Sequence, residues 1–441
     1  MLENRFTFVD LFAGIGGFRL ALEAIGGQCV ASSEIDSHAN QVYESNWPDD
    51  AEGHNLGNIC DIEELPEHDL LVGGVPCQSW SIAGKNRGIE DPRGKLWMDV
   101  IRLLDQSRPT AFLFENVKGL YDQRHRDSLN YLVDSFTALG YEVHYDLLNS
   151  FDFNTPQNRA RIFIVGIQKT RMKRPFTWPK PQDNHTQLFD IFDDLEQPED
   201  DNSPVAIQRN LFGERVNVGH NKLTPLGSQN QFFILTDIRN GPTSIHSWEL
   251  YDDISEREKM ICMVILRNRR KPQYGPQDGN PLAYQDLREL IPDLVEEELQ
   301  QLVAKKILRQ YDETGKYEFF NRKLSGGIDG VYRIYLPTST FFPTIMASGT
   351  LDFVATVNVS GDTDEAYKAN FIQDVLLPQK YRLLKPSELA RLQGFPDNFK
   401  LHENPKRNIK LFGNSVAVPV ITAVGQAIIN TECFAQEVVT P

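Results

Sequence analysis

The sequence predicts an α/β fold, a parallel sheet with helices on both faces, joined to a smaller irregular α+β domain. Three observations lead there. Short β-rich apolar runs alternate with amphipathic runs from about residue 5 to 168. Several of those runs end in glycines or a carboxylate, where α/β proteins place their ligands. The alternation is then lost between about 205 and 380. Alternating strands and helices imply parallel strands, because a parallel neighbour is reached by a crossover that is usually a helix.

Phe6–Phe12 reads as the first strand, followed by a glycine-rich turn and a helix over Phe18–Ile25. Gln28–Ser33 reads as a second strand that ends at Glu34 and Asp36. Asp69–Gly73, Ala111–Phe114 and Ile162–Val165 are further strands, with Leu96–Gln106 and Arg126–Leu139 as amphipathic helices between them. Pro175, Pro179 and Pro181 mark a boundary, and the acidic run Phe189–Asp201 reads as a solvated loop. Beyond it, Gln285–Leu290 and Val295–Arg309 are helical, and Tyr317–Asn321 and Val331–Tyr335 are β-like. Helix, helix, hairpin resembles a winged helix-turn-helix; an irregular insert is the alternative. The expected organisation is 1–180, 181–380, and a segment 381–441 that returns to complete the first domain.

Composition sets outer bounds. The 441 residues are 40% hydrophobic and 24% charged, with no run of 18 apolar residues to span a membrane. Met1–Gly27 carries Asp10 and Arg19 within its apolar pattern, unlike a signal peptide. Cys29, Cys60, Cys77, Cys262 and Cys433 are odd in number and irregularly spaced, which fits free thiols in a reducing cytoplasm. No C-x-x-C occurs, so no metal site is expected. A net charge of −16 argues against a globally basic nucleic-acid coat, though a local basic cleft remains compatible with it.

Asp10-Leu-Phe-Ala-Gly-Ile-Gly-Gly-Phe18 follows a strand and opens a helix. Its glycines let backbone approach a ligand, and the helix start offers free N–H groups. The pattern is G-x-G-G rather than the dinucleotide fingerprint G-x-G-x-x-G. Glu34 and Asp36 stand where carboxylates accept ribose hydroxyls. Gly73-Gly-Val-Pro-Cys77 places a thiol at another strand end. A lone cysteine is usually a small buried hydrophobe. Here Lys85, Arg87 and Arg93 follow closely, and cations lower a thiol pKa. Glu115 ends the strand Phe112–Val117, where burial can make a carboxyl a proton donor. Arg159 and Arg161, at period-two spacing, point to one side of a strand.

In this order the pieces resemble the cytosine-carbon-5 DNA methyltransferases, especially the bacterial restriction–modification type. The matching runs are Asp10–Gly17, Glu34–Asp36, Pro76-Cys77, Glu115-Asn-Val117, Gln157-x-Arg159-x-Arg161, Arg391-Leu-Gln-Gly-Phe-Pro396 and Gly413-Asn-Ser-Val416. They cover about 5–168 and 381–430; the part between occupies the family's variable target-recognition region. The resemblance implies a Rossmann-like methyltransferase sheet and S-adenosyl-L-methionine as cofactor. It assigns Phe12, Ala13, Gly14, Gly16 and Gly17 to that cofactor, with Glu34 on the ribose, Asp36 nearby, and Asn58 or Asp61 at the adenine. Asn414 and Val416 would close the pocket. Cys77, preceded by Pro76, is the implied nucleophile toward carbon 6 of cytosine; Glu115 acts at ring nitrogen 3, and Arg161, beside Arg159, holds the carbonyl oxygen. The target base must leave the duplex to be reached. The loop from Gln78 through Ser81 to Arg93 would close over it, its basic residues on phosphates.

In the variable region, Arg267-Asn-Arg-Arg-Lys271 is the densest basic cluster, with Arg269 and Arg270 as candidate phosphate contacts against the alternative of a solvated helix end. Thr344 and Ile345 resemble the family's Thr-aliphatic pair beside the target base. The expected partners are double-stranded DNA and a cognate restriction endonuclease, with the chain acting as a monomer. Three other readings compete with this one. Methylation of tRNA cytosine is disfavoured by the large 182–380 segment. A non-catalytic module of the same fold is opposed by Cys77, Glu115 and Arg161. A nicotinamide oxidoreductase is opposed by G-x-G-G and Pro76-Cys77.

Overall fold

The computed structural model describes residues 6–50, 53–76, 96–182, 186–197, 232–235, 244–277, 279–320, 332–349 and 352–435. Its elements run β1 (Phe6–Leu11), α1 (Gly17–Glu23), β2 (Gly27–Ser33), α2 (Ser37–Asn46), β3 (Leu70–Gly74), α3 (Leu96–Ser107), β4 (Ala111–Val117), α4 (Arg126–Ala138), β5 (Tyr141–Asn149), β6 (Gln157–Asn158), β7 (Ala160–Gln168) and α5 (Leu188–Ile191). There follow β8 (Phe232–Leu235), β9 (Ser244–Ile245), α6 (Glu256–Asn268), α7 (Tyr284–Leu290), α8 (Glu296–Ala304), β10 (Leu308–Gln310), β11 (Tyr317–Phe319), β12 (Tyr332–Tyr335), β13 (Phe342–Pro343), β14 (Asp352–Ala355), α9 (Asp364–Phe371), β15 (Tyr381–Arg382), α10 (Pro386–Leu392), α11 (Pro405–Asn414) and α12 (Val418–Ile429).

Two compact units contain these elements. The first comprises 1–193, 340–350 and 384–441; the second comprises 194–339 and 351–383, among described residues. The sequence places 340–350 within the second domain; the structure groups it with the first, where β13 pairs in parallel with β6.

The first unit is built on one sheet ordered β2-β1-β3-β4-β7-β5. The strands β2, β1, β3 and β4 are parallel, as expected. The last pairings correct the expectation of an all-parallel sheet, since β7 runs antiparallel to both β4 and β5. No crossover helix lies between β5 and β7, and a short connection joins antiparallel strands only. Leu70–Val72 and Ala111–Phe114 are buried on both faces, as central strands covered by helices must be. Against them α3 turns Trp97, Val100, Leu103 and Leu104, all fully buried. The Trp97 ring meets Phe114 edge-on at 5.7 Å, and Phe112 lies 4.7 Å from Phe136. Each such side chain stabilises the fold by about 1.5–3 kcal/mol through burial.

The C-terminal segment completes this core. A methyl on Gly425 of α12 would come within 2.8 Å of the Ile25 side-chain tip and 2.9 Å of that of Leu22, so this face of α12 packs closely on the end of α1. Pro405–Ile429 is apolar enough to resemble a membrane span, but Ser415–Ala417 divides it and 61% of its apolar window is buried.

The second unit has a five-stranded sheet, β15-β14-β12-β8-β9, and a helical part. In the helical part α6, α7 and α8 precede the antiparallel hairpin β10–β11, and Leu282 bridges Tyr317. The order in this part is therefore helix, helix, helix, strand, strand, with Leu282 adding an isolated bridge. The strand partners differ from expectation, however. Tyr317–Phe319 pairs with Leu308–Gln310, whereas Tyr332–Tyr335 joins the other sheet between β14 and β8. The cause is the early end of α8: Lys306 adopts φ 57, which breaks the helix and frees Leu308–Gln310 to form a strand.

Candidate active site

The glycine-rich turn between β1 and α1 holds Phe12 at φ 55, Gly14 at φ 56 and Gly16 at φ 87. Gly16 is required twice over, since its φ is left-handed and a methyl there would lie 2.4 Å from the Trp47 ring. Over Gly14 the space is open, with only Phe12 O at 4.0 Å from a hypothetical methyl. The buried Ala13 anchors the turn, its N–H donating to Ser33 O at 2.9 Å.

Glu34 is fixed by three backbone donors. Gly14 N–H reaches Oε2 at 2.8 Å, while Ile35 and Asp36 N–H reach Oε1 at 2.8 and 2.7 Å. The carboxylate is therefore set before any ligand arrives, with acceptor capacity left over. Ile35 beside it is 74% exposed, an apolar side chain held out of the core at the mouth of the turn. The sequence reading missed Ile35; an aliphatic residue between two strand-end acids was the available signal. Asp36, expected at the cofactor, is otherwise engaged. It caps α2 through His38 and Ala39 N–H and pairs with Lys410 at 2.7 Å. Burial alone would raise its pKa, but Lys410 and the cap outweigh it and hold the group below the ordinary value. Asn58 and Asp61 lie together: Asn58 Nδ2 donates to Asp61 Oδ2 at 3.1 Å, making one exposed polar pair. Val416 lies behind the turn, 2.8 Å from a hypothetical methyl on Gly17, whereas Asn414 is exposed at the end of α11.

β3 delivers Gly74, Val75 and the half-buried Pro76. Cys77, Gln78, Ser81, Lys85, Arg87 and Arg93 lie outside the described residues. What surrounds the described end of β3 is well defined. Gly74 pairs in register with Glu115, whose Oε2 would be 3.8 Å from a methyl on that glycine. Asn116 is 1% exposed and donates to Val75 O at 3.1 Å, fastening the residues before Pro76. Asn116 was also missed as a site residue, although it stands within the motif Glu115–Val117.

Glu115 is 8% exposed, and Arg161 Nε lies 3.1 Å from its Oε1. Burial pushes the Glu115 carboxyl above its usual range; Arg161 and Arg159 pull it back only in part. A carboxyl that keeps its proton beside a guanidinium can hydrogen-bond a ring nitrogen and an adjacent carbonyl together. Arg159 does not share this face. The chain turns there, Arg159 N–H bonding Gln157 O at 3.1 Å, and β7 begins only at Ala160. Its guanidinium, in a residue 3% exposed, donates to the carbonyls of Ile345, Gly413 and Ser415. The expected common side of the two arginines is thus corrected.

Thr344, half-buried, donates from Oγ1 to Asn158 O at 2.6 Å, and Ile345 beside it is 1% exposed. Arg269, expected on phosphate, is interior to the second unit. It meets the buried Glu318 at 3.4 Å, alongside Arg309 at 2.9 Å and the Tyr311 hydroxyl at 2.6 Å. Arg267, Arg270 and Lys271 are exposed at the end of α6.

The model of the family described as C-5 cytosine-specific DNA methylase matches residues 6–430. The Type II methyltransferase M.HgiBI of Herpetosiphon aurantiacus is 59% identical over 434 residues, 98% of this chain and 99% of that protein. The Type II methyltransferase M.BanI of Aneurinibacillus aneurinilyticus is 34% identical, over 95% of each chain. Among solved structures, the Entamoeba histolytica methyltransferase EhMeth aligns with TM-score 0.52 and 14% identity, covering 96% of this chain and 98% of that one. The S. pombe Dnmt2 methyltransferase aligns with TM-score 0.51 and 15% identity over 96% and 98%. These structural likenesses bear on the fold, and the family model and the relatives bear on the lineage. The chain belongs to the C-5 cytosine-specific DNA methylases.

Proposed function

We propose that this DNA cytosine-5 methyltransferase acts through Cys77 on a base flipped out of a specific duplex sequence, with S-adenosyl-L-methionine as methyl donor. The observation that carries the reading is the Glu115–Arg161 pair at the end of β4, beside the strand that leads into Pro76-Cys77. The Cys77 thiolate adds to carbon 6 of cytosine while Glu115, protonated, donates at nitrogen 3 and Arg161 holds the carbonyl oxygen. The ring becomes an enamine whose carbon 5 is nucleophilic, splitting one hard step into easier ones. The carbon-5 proton then leaves to water, and the Cys77 sulfur departs with the bonding pair.

The open glycine turn and preset Glu34 fit a nucleoside-bearing cofactor. Phe12, Gly14, Gly16, Gly17 and Glu34 would hold it, with Ile35 against its base. When bound, it supplies an electrophilic methyl group.

The second unit would read the target. Kinship with Type II methyltransferases supports a role in protecting host DNA from a partner endonuclease; the chain would act as a monomer in the cytoplasm. Bisulfite sequencing of DNA from cells expressing the chain should reveal methylated cytosine in one short sequence, absent with Cys77→Ser. Unmodified DNA with the wild-type chain would overturn the reading. DNA so modified should resist an endonuclease that cuts the same sequence, and undiminished cleavage would remove the protective role.

A further inference from the structure

We infer that Arg159 is a positioning residue that ties the 340–350 segment to the turn behind the cofactor-binding glycines, coupling DNA binding to cofactor binding. The inference rests on the DNA and cofactor roles proposed above.

The geometry is that of a clip. Phe342–Pro343 pairs with Gln157–Asn158, and Thr344 Oγ1 donates to Asn158 O at 2.6 Å. One residue on, Arg159 Nη1 donates to Ile345 O at 3.3 Å. Its Nη2 donates to Gly413 O at 3.4 Å and to Ser415 O. The two segments also touch backbone to backbone, since a methyl on Gly413 would fall 2.3 Å from Ala347 N. Ser415 and Val416 in turn press on Gly17, at 3.1 and 2.8 Å from a hypothetical methyl, and Val416 is 3.8 Å from one on Gly74. Arg161, two residues along, holds Glu115.

Both ends of 340–350 continue directly into the second unit. A shift of this segment when the second unit engages DNA therefore reaches, through one guanidinium, the turn that packs on the cofactor glycines. A planar fork with five donors can serve three carbonyls on two segments; a lysine ammonium is a single point and cannot span them. The positive charge of Arg159 also acts on Glu115, and lysine would preserve that part. Arg159→Lys thus separates span from charge.

Coupling between two ligands is reciprocal and measurable as binding alone. Cofactor affinity should be measured by equilibrium titration with and without a saturating duplex carrying the mapped target, for wild type, Arg159→Lys and Thr344→Val. In the wild type the duplex should tighten cofactor binding at least about fivefold, the low end of ordinary coupling. In folded Arg159→Lys the ratio should fall to near one, with duplex affinity in the absence of cofactor little changed, and Thr344→Val should lie between. Wild-type coupling in a folded Arg159→Lys protein would overturn the inference. If that variant does not fold, undiminished coupling in Thr344→Val overturns it. A wild type that methylates DNA yet shows no coupling would refute this inference alone, and a wild type that does not methylate would refute the proposed function instead.

Discussion

Arg161 Nε and Glu115 Oε1 stand 3.1 Å apart, joining antiparallel neighbours β7 and β4 next to the end of β3. Two opposed effects meet in this pair: burial favours the neutral acid, and the guanidinium favours the carboxylate. Burial prevails, so Glu115 keeps its proton to higher pH than an ordinary glutamate.

The rate of methyl transfer should therefore fall as pH rises through the elevated Glu115 pKa, because the deprotonated group cannot donate. Glu115→Gln should slow single-turnover transfer by about 10²–10⁴-fold while duplex binding persists. Arg161→Gln should be slower at its optimum and should move the alkaline limb to higher pH, since the charge that lowers the Glu115 pKa is gone. A limb moved downward would contradict this account of the pair.

The same shift bears on stability. A folded-state pKa above the unfolded one favours the fold at low pH, and that contribution is lost as pH rises through the folded value. Thermal melting of Glu115→Gln should thus match wild type in acid and exceed it at alkaline pH. The reverse order would show that the ionised form is the one the fold prefers.

Gly16→Ala forces a methyl toward the Trp47 ring and a side chain into a left-handed φ. A cost of about 1–3 kcal/mol is expected from strain, along with loss of cofactor affinity as the turn moves. Equal affinity in fluorescence titration of Gly16→Ala would remove the turn from the cofactor site.

Neighbouring arginines in the basic cluster should behave differently. Arg269→Met leaves the buried Glu318 with less compensation and should destabilise the second unit by about 3–5 kcal/mol in denaturant unfolding. Arg270→Ala, at an exposed position, should leave stability within about 0.5 kcal/mol. If Arg270 meets phosphate, it should also reduce the salt slope of duplex binding by about one unit. An unchanged slope would assign this helix end to solvent.

Asn116→Ala removes the donor to Val75 O, whose loss in a buried place costs about 1–3 kcal/mol. Single-turnover methyl transfer should slow accordingly, because the residues before Pro76 lose their anchor. A normal rate would limit Asn116 to a structural bond.

Legibility in the sequence followed the strength of local signals. Phe6–Leu11, Leu70–Gly74 and Ala111–Val117 were visible because central strands carry near-continuous apolar runs, here broken only by Thr7, Asp10, Glu115 and Asn116 among the non-glycine residues. Tyr141–Asn149 was not, because most of this sheet-edge strand is only half-buried and it lacks such a run. The antiparallel turn of β7 was hidden, since direction is a property of connections rather than of composition. At the site, Glu34 and Glu115 were legible as carboxylates at strand ends. Arg159 and Arg269 were misplaced because an arginine clipped to carbonyls or buried against a glutamate has the same letter as one on a phosphate. Only the pairing of residues distant in sequence, Arg159 with Ser415 or Arg269 with Glu318, distinguishes them.

The central claim is that Cys77 attacks carbon 6 of a target cytosine. A duplex carrying 5-fluorocytosine at the mapped position, incubated with the protein and S-adenosyl-L-methionine, tests it most directly, because fluorine at carbon 5 cannot leave as a proton does. Mass spectrometry of the digested product should find the nucleotide covalently joined to the peptide containing Cys77, and no adduct with Cys77→Ser. A methylating enzyme that gave no adduct, or one attached to another residue, would contradict the claim.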